Sequence, residues 1–213
     1  MTRRTALLLS LTSFASAYAK EFWNDKKPDQ WTPDEVDLLL NKSPWAREAV
    51  VSYYGGQNGP LSSTLPNQRT HRGASSGSSP SAPAPADWKA IVRWQSALPV
   101  QQALQLEPTL DLEKFYILNM IGDVPSVGAD PDGLAQLKLY TKLEHKGDEI
   151  HLSRVAVAPA NNVTRAGTLF YFSRDLALRP EDKVATFSTK LGPIDLKCKF
   201  TLKEMMYRGK LEL

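Results

Sequence analysis

Hydrophobic positions fall in two rhythms along the chain. Between Thr32 and Val50 they recur at helical spacing, with Val36, Leu39 and Leu40 on one short face and Trp45, Ala49 and Val50 on another. Thr32-Pro33-Asp34-Glu35 is a capping box: the Thr hydroxyl accepts from the third helical amide, the Glu reaches back, and Pro sits where no amide is needed. Ser43-Pro44-Trp45 repeats the start signal, so two short helices are predicted between Glu21 and about Tyr54. Neither is long enough to be stable alone. They must dock, on each other through Trp23, Trp31 and Trp45 or on the rest of the protein.

From about Trp88 the period shortens to two. Strands are predicted over residues 90–96, 115–121, 168–173, 184–190, 194–200 and 207–213. Ile194, Leu196, Cys198 and Phe200 alternate with Asp195, Lys197 and Lys199, and Gly209, Leu211 and Leu213 with Arg208, Lys210 and Glu212. One face of each strand is therefore covered and the other wet, as in antiparallel sheets. Residues 115–121 are apolar at nearly every position, which predicts a central strand buried on both faces, and Leu191-Gly192-Pro193 reads as a turn. Covering helices are predicted over residues 99–106, through Val100, Ala103 and Leu104, and after Asp130-Pro131, through Leu134, Leu137 and Thr141. Residues 137–143 also alternate as a strand would. Between the two rhythms, residues 55–86 are rich in Gly, Ser and Pro and nearly free of large apolar residues after Leu65, the composition of a disordered linker. Arg69, His71 and Arg72 within it read as a solvated cluster.

The predicted fold is α+β, mainly antiparallel sheet with one or two covering helices, with a β-sandwich as the alternative should the strand reading of 137–143 hold. The organisation is a short helical segment over residues 20–54, a linker over 55–86 and the sheet domain over 87–213.

Residues 1–19 have a different design. Arg3 and Arg4 precede an apolar and small-residue stretch, and Ala17-Tyr18-Ala19 offers a signal-peptidase site before Lys20. The stretch is too short to span a bilayer. Export through the general secretory route, to a secreted or periplasmic location, is expected. The 213-residue chain carries 26 Lys and Arg against 23 Asp and Glu, a net charge of +3 that falls to +1 once Arg3 and Arg4 are removed. With no basic excess there is no counterion release to hold nucleic acid, so that class of partner is excluded, and no membrane span is expected after signal cleavage. Cys198 is the single cysteine, which rules out an intramolecular disulfide.

Candidate chemistry is sparse. His145, Asp148, Glu149 and His151 place metal-type ligands within seven residues, with Glu149 and His151 on one face of an extended segment, although the spacing matches no zinc signature and Lys146-Gly147-Asp148 reads as a polar turn. Asp130-Pro131-Asp132-Gly133, near Asp123, resembles a calcium loop but lacks its closing Glu and reads as a helix start. Ser188 and Lys190 share a strand face, an arrangement that can activate a serine, yet no nucleophile elbow accompanies them. Cys198 is in phase with core residues. The five tryptophans read as core before they read as an aromatic platform, and Asn162-Val163-Thr164, a glycosylation sequon, reads as a surface loop. No residue is assigned a catalytic, cofactor-binding or metal-binding role, and no cofactor is expected.

Trp31-Thr32-Pro33-Asp34-Glu35-Val36, Ser43-Pro44-Trp45-Ala46, the run from Val92 to Pro99, and the stretches Thr189 to Pro193 and Gly209 to Leu213 together resemble an uncharacterised family of secreted bacterial proteins. The resemblance covers most of the chain after residue 19, implies the same division into helical segment, linker and sheet domain, and carries no activity, cofactor or site residue with it. The expectation is a non-enzymatic exported protein acting as a binding or interaction module, its helical segment docking on the sheet domain or on another envelope or secreted protein across the tether. The alternatives are a hydrolase or metal-dependent enzyme built on His145, Glu149 and His151 or on Ser188 and Lys190, and a carrier of a small apolar ligand.

Overall fold

A computed structural model of the chain describes residues 21–53, 89–107, 109–122, 131–160, 162–192 and 194–213. The expected leader, the linker over residues 55–86, and Trp88, Asp123 and Asp130 lie outside the described residues. Helix α1 (Phe22–Asp25) and a single 3-10 turn (Pro28–Gln30) lead into α2 (Pro33–Lys42). The capping box forms: the Glu35 amide donates to Thr32 Oγ1 at 3.3 Å, and the Thr32 amide donates to Glu35 Oε2 at 2.9 Å.

The second helix expected from Ser43-Pro44-Trp45 is not there. A proline disfavours the α conformation in the residue before it. Ser43 is accordingly extended, at φ −94° and ψ 174°, and ends α2 instead of starting a new helix. Its hydroxyl accepts the Trp45 amide at 3.2 Å, and the chain runs on as β1 (Ala46–Glu48) and β2 (Val50–Tyr53). β1 pairs with β3 (Ala90–Trp94) and β2 with β10 (Ile194–Thr201), both antiparallel. Residues 21–53 are therefore not purely helical; they supply a strand to each sheet.

The remaining strands are β4 (Phe115–Gly122), β5 (Lys142–His145), β6 (Asp148–Ile150), β7 (Leu152–Ala158), β8 (Gly167–Ser173) and β9 (Val184–Leu191). They build two five-stranded sheets, in the orders β1-β3-β4-β8-β7 and β2-β10-β9-β5-β6. Only Ala49 separates β1 from β2, and only His151 separates β6 from β7. Pairing continues through both residues: the Ala49 amide donates to the Ala90 carbonyl at 2.8 Å, and the His151 carbonyl accepts from Ser173 at 2.9 Å. Each connection is one strand bent at a corner, so the two sheets join at both sides into a closed antiparallel ring. The class is α+β, mainly antiparallel sheet. The layering is that of the sandwich alternative, with the helices retained.

Inward-facing rings fill the space between the sheets. Trp94 meets Phe200 at a centroid distance of 5.2 Å and Phe170 meets Phe187 at 5.1 Å, each an edge contact from one sheet to the other. β4 is central and buried from Tyr116 to Ile121, as its composition predicts. On its outer side Asn119 lies under Gly167, where an added Cβ would stand 2.3 Å from Asn119 Oδ1.

α3 (Leu98–Leu104) buries Val100, Ala103 and Leu104 as expected, and a short α4 (Leu110–Lys114) precedes β4. The ambiguous stretch 131–143 is helix first and strand second: α5 (Pro131–Tyr140), then β5. Leu137 is 1% exposed and Leu139 71%, a difference that helical geometry produces and strand geometry, which would put both on one face, does not. The strand predicted over 207–213 is instead a hairpin, β11 (Met206–Tyr207) and β12 (Lys210–Leu211), because Arg208 and Gly209 take φ of 50° and 81° and reverse the chain.

Candidate functional site

His145, Glu149 and His151 do not converge. His145 points inward from β5 and is 6% exposed, with Nε2 at 3.7 Å from Asp182 Oδ2. Asp182 also takes Lys146 Nζ at 2.5 Å and the Arg179 amide at 2.7 Å. The Lys146 ammonium, then the Arg179 amide, hold the Asp182 carboxyl below its ordinary value. Strand alternation sends Glu149 outward, where it bonds Lys142 at 2.7 Å, and His151 is exposed at the corner between β6 and β7. Among the described residues no group of three or more His, Cys, Asp or Glu side chains is placed to hold a metal ion.

Ser188 and Lys190 share the outer face of β9, but Lys190 points to Asp195 at 3.7 Å, and Ser188 stands in register between Lys142 and Lys197. Cys198 is 4% exposed, and burial pushes its thiol up to about 12, so it is not a nucleophile. Trp23, Trp45 and Trp94 are buried and form no aromatic platform. Asn162 and Val163 are exposed on the loop after β7, as the sequon predicts.

The structure gathers polar side chains somewhere the sequence does not mark. A cleft of about 480 Å³ opens at one end of the ring, between the start of α3, α4, the turn after β8 and the segment from Leu211 to Leu213. Leu98, Leu112, Leu178 and Leu211 give it apolar walls, and Glu113, Tyr116, Arg174, Arg179 and Glu212 bring ionisable groups to it. Arg174 is fixed by three contacts. Its Nε donates to the Phe115 carbonyl at 3.2 Å, its Nη2 donates to the main-chain oxygen of Leu213 at 2.5 Å, and its guanidinium carbon lies 4.4 Å from the Tyr116 ring centroid. The Tyr116 hydroxyl in turn accepts the Leu178 amide at 3.0 Å, which ties the cleft wall to β4. Burial lowers the Arg174 pKa, and Tyr116 and Glu212 oppose that shift. Burial also raises the Glu212 carboxyl, against a hydrogen bond from the Leu98 amide.

The cleft assembles residues from positions 96 to 213. Nothing in the local spacing of Arg174 or Glu113 marks it. The one legible trace is that Ser96-Ala97-Leu98-Pro99 and Leu211-Glu212-Leu213, two stretches noted for the family resemblance, meet here, with Trp45 Nε1 donating to the Glu212 carbonyl at 2.8 Å. No protein-family model, curated protein or solved structure matches the chain.

Proposed function

We propose that the protein is a non-enzymatic binding module that acts outside the cytoplasm and takes its ligand in the cleft between α3, α4 and the segment from Leu211 to Leu213. The observation that carries the reading is the contrast between this cleft and the reactive residues of the sequence. Apolar walls and a few fixed polar groups meet in the one place, as small-molecule sites require. His145, Glu149, His151, Ser188 and Lys190 are dispersed over the inner face, the outer face and a corner of the ring. Nucleophilic or metal chemistry needs such groups within hydrogen-bond reach of one another. Arg174 and Tyr116, by contrast, are both held by main-chain groups at the wall of the cleft. The export half of the proposal stands on Arg3, Arg4 and Ala17-Tyr18-Ala19.

A fragment screen followed by amide chemical shifts on the protein lacking residues 1–19 tests the reading. Shifts clustering on Leu112, Tyr116, Leu178 and Leu211 are expected. Hits confined to other surfaces, or turnover of p-nitrophenyl acetate or phosphate that disappears on His145→Ala or Ser188→Ala, overturn it. Amino-terminal sequencing of the exported protein is expected to begin at Lys20.

A further inference from the structure

The cleft lies open to solvent, whereas a site that holds a small molecule covers most of that molecule's surface. To enclose an occupant, one of its walls has to move. Three walls are fixed. α3 buries Pro99, Val100, Ala103 and Leu104. Leu178 is buried, and its amide is taken by the Tyr116 hydroxyl. Leu213 is buried, and the Glu212 carbonyl beside it accepts Trp45 Nε1.

α4 is different. It has five residues, fewer than an isolated helix needs to persist in water. None of its described side chains is buried: Asp111 and Leu112 are partly covered, and Glu113 and Lys114 are exposed. Thr109, before it, is extended and makes no side-chain cap bond. The C-terminal end is held, since Arg174 donates from its amide to the Lys114 carbonyl at 3.2 Å and from Nε to the Phe115 carbonyl. The other tie is Asp111 Oδ2 to Arg154 Nη2 at 2.5 Å, with the Arg154 guanidinium stacked 3.9 Å above the Tyr171 ring centroid. Those two side chains are 42% and 51% exposed, so water and salt screen the pair. Neither of them lines the cleft, but Leu112, the next residue along, does. A helix pinned at one end, tethered by a weak pair outside the cleft and presenting a leucine to it, is built to swing.

We propose that α4 is a lid, which turns about Lys114 and Phe115, lays Leu112 over the occupant of the cleft, and is held back by the Asp111–Arg154 pair. The inference rests on the reading of the cleft as the binding site and adds how that site is controlled. The ion pair is the latch. Breaking it raises the fraction of molecules free to close and so tightens binding, by the factor an exposed pair supplies, about two- to fivefold.

The test is amide hydrogen exchange on the exported protein with and without N-phenyl-1-naphthylamine, an uncharged apolar probe whose fluorescence also reads its affinity. The Leu112 amide, bonded to the Thr109 carbonyl, and the Phe115 amide, bonded to the Asp111 carbonyl, are expected to exchange at least about tenfold faster than the Leu178 amide on the opposite wall. The probe is expected to slow both several-fold. Arg154→Gln is expected to hasten their exchange in the free protein and to tighten the probe about two- to fivefold. Asp111→Asn is expected to do the same while leaving Arg154 stacked on Tyr171, and Arg154→Lys, which keeps the charge, to restore the natural affinity. Amides of α4 as protected as that of Leu178, or a probe that shifts Tyr116 and Leu178 without slowing α4, overturn the lid and leave the binding site standing. Unchanged affinity in both Arg154→Gln and Asp111→Asn overturns the latch. Should the probe and the fragments all miss the cleft, the lid and the binding site fall together.

Discussion

Two buried charges show how single residues shape this protein. Arg93, 3% exposed, crosses from β3 to α2, donating from Nε to the Leu40 carbonyl at 2.8 Å and from Nη1 to Thr164 Oγ1 at 3.3 Å; burial lowers its pKa to about 10. It fastens the helix to the sheet by hydrogen bonds, with Asp37 opposing the effect of burial. Asp182 is the opposite case, a carboxylate with Lys146, the Arg179 amide and His145 around it. Its folded-state pKa lies below the unfolded value, so it contributes stability that is fully present above the ordinary carboxylate range and is lost as pH falls through the folded value. Thermal unfolding of the natural chain and of Asp182→Asn should show a constant gap in Tm from about pH 7 to 5 that narrows steadily below about pH 4. A gap that persists unchanged at pH 2 would remove Asp182 from the account. Neither role is legible in sequence. Arg93 sits in a run that reads as strand, and Asp182 is about forty residues from His145, with no pattern linking them.

At the scale of elements, local chemistry was readable wherever a side chain and its own backbone settle the matter. The Thr32 cap, the apolar face of α3 and the alternation along β10 are of that kind. The hairpin at Arg208-Gly209 reads as one continuous strand because its turn lacks the Asn-Gly or Asp-Gly that usually announces a two-residue loop; Lys146-Gly147 lacks it too, and there the polar turn is legible in the sequence but not the strands it joins. Lys146 and Gly147 nonetheless have φ of 51° and 93°, the left-handed pair such loops demand. Nothing lies within 4 Å of a Cβ built on Gly147, so Gly147→Ala isolates the backbone cost. Urea unfolding is expected to show a loss of about 1 kcal/mol, with no change in the slope against denaturant. A neutral substitution would mean that the turn relaxes to another type. Ser43-Pro44 is ambiguous in the same local terms. Ser-Pro can open a helix or close one, and the choice was made by β3, which offers β1 a strand to pair with.

For the whole molecule, the decisive feature is closure. β1 and β2 fill the last gap between β3 and β10, so the protein has no free sheet edge there. Removing residues 21–53 is expected to leave an unfolded or aggregating chain, with dispersed amide signals lost and strand circular dichroism collapsed. A folded remainder would restore the picture of a module on a tether. What the sequence determined by itself was the set of parts: the caps, the central strand, the inward and outward faces, the near-neutral charge and the mainly antiparallel character. These follow from interactions within a few residues, which a linear pattern records. Only the tertiary structure decided that the helical segment also carries two strands, that His145 and Glu149 face opposite ways, and that Glu113, Tyr116, Arg174 and Glu212 share a cleft. Those outcomes depend on which distant strands pair and where a strand bends. Many pairings bury the same apolar faces, so hydrophobic pattern alone does not choose among them.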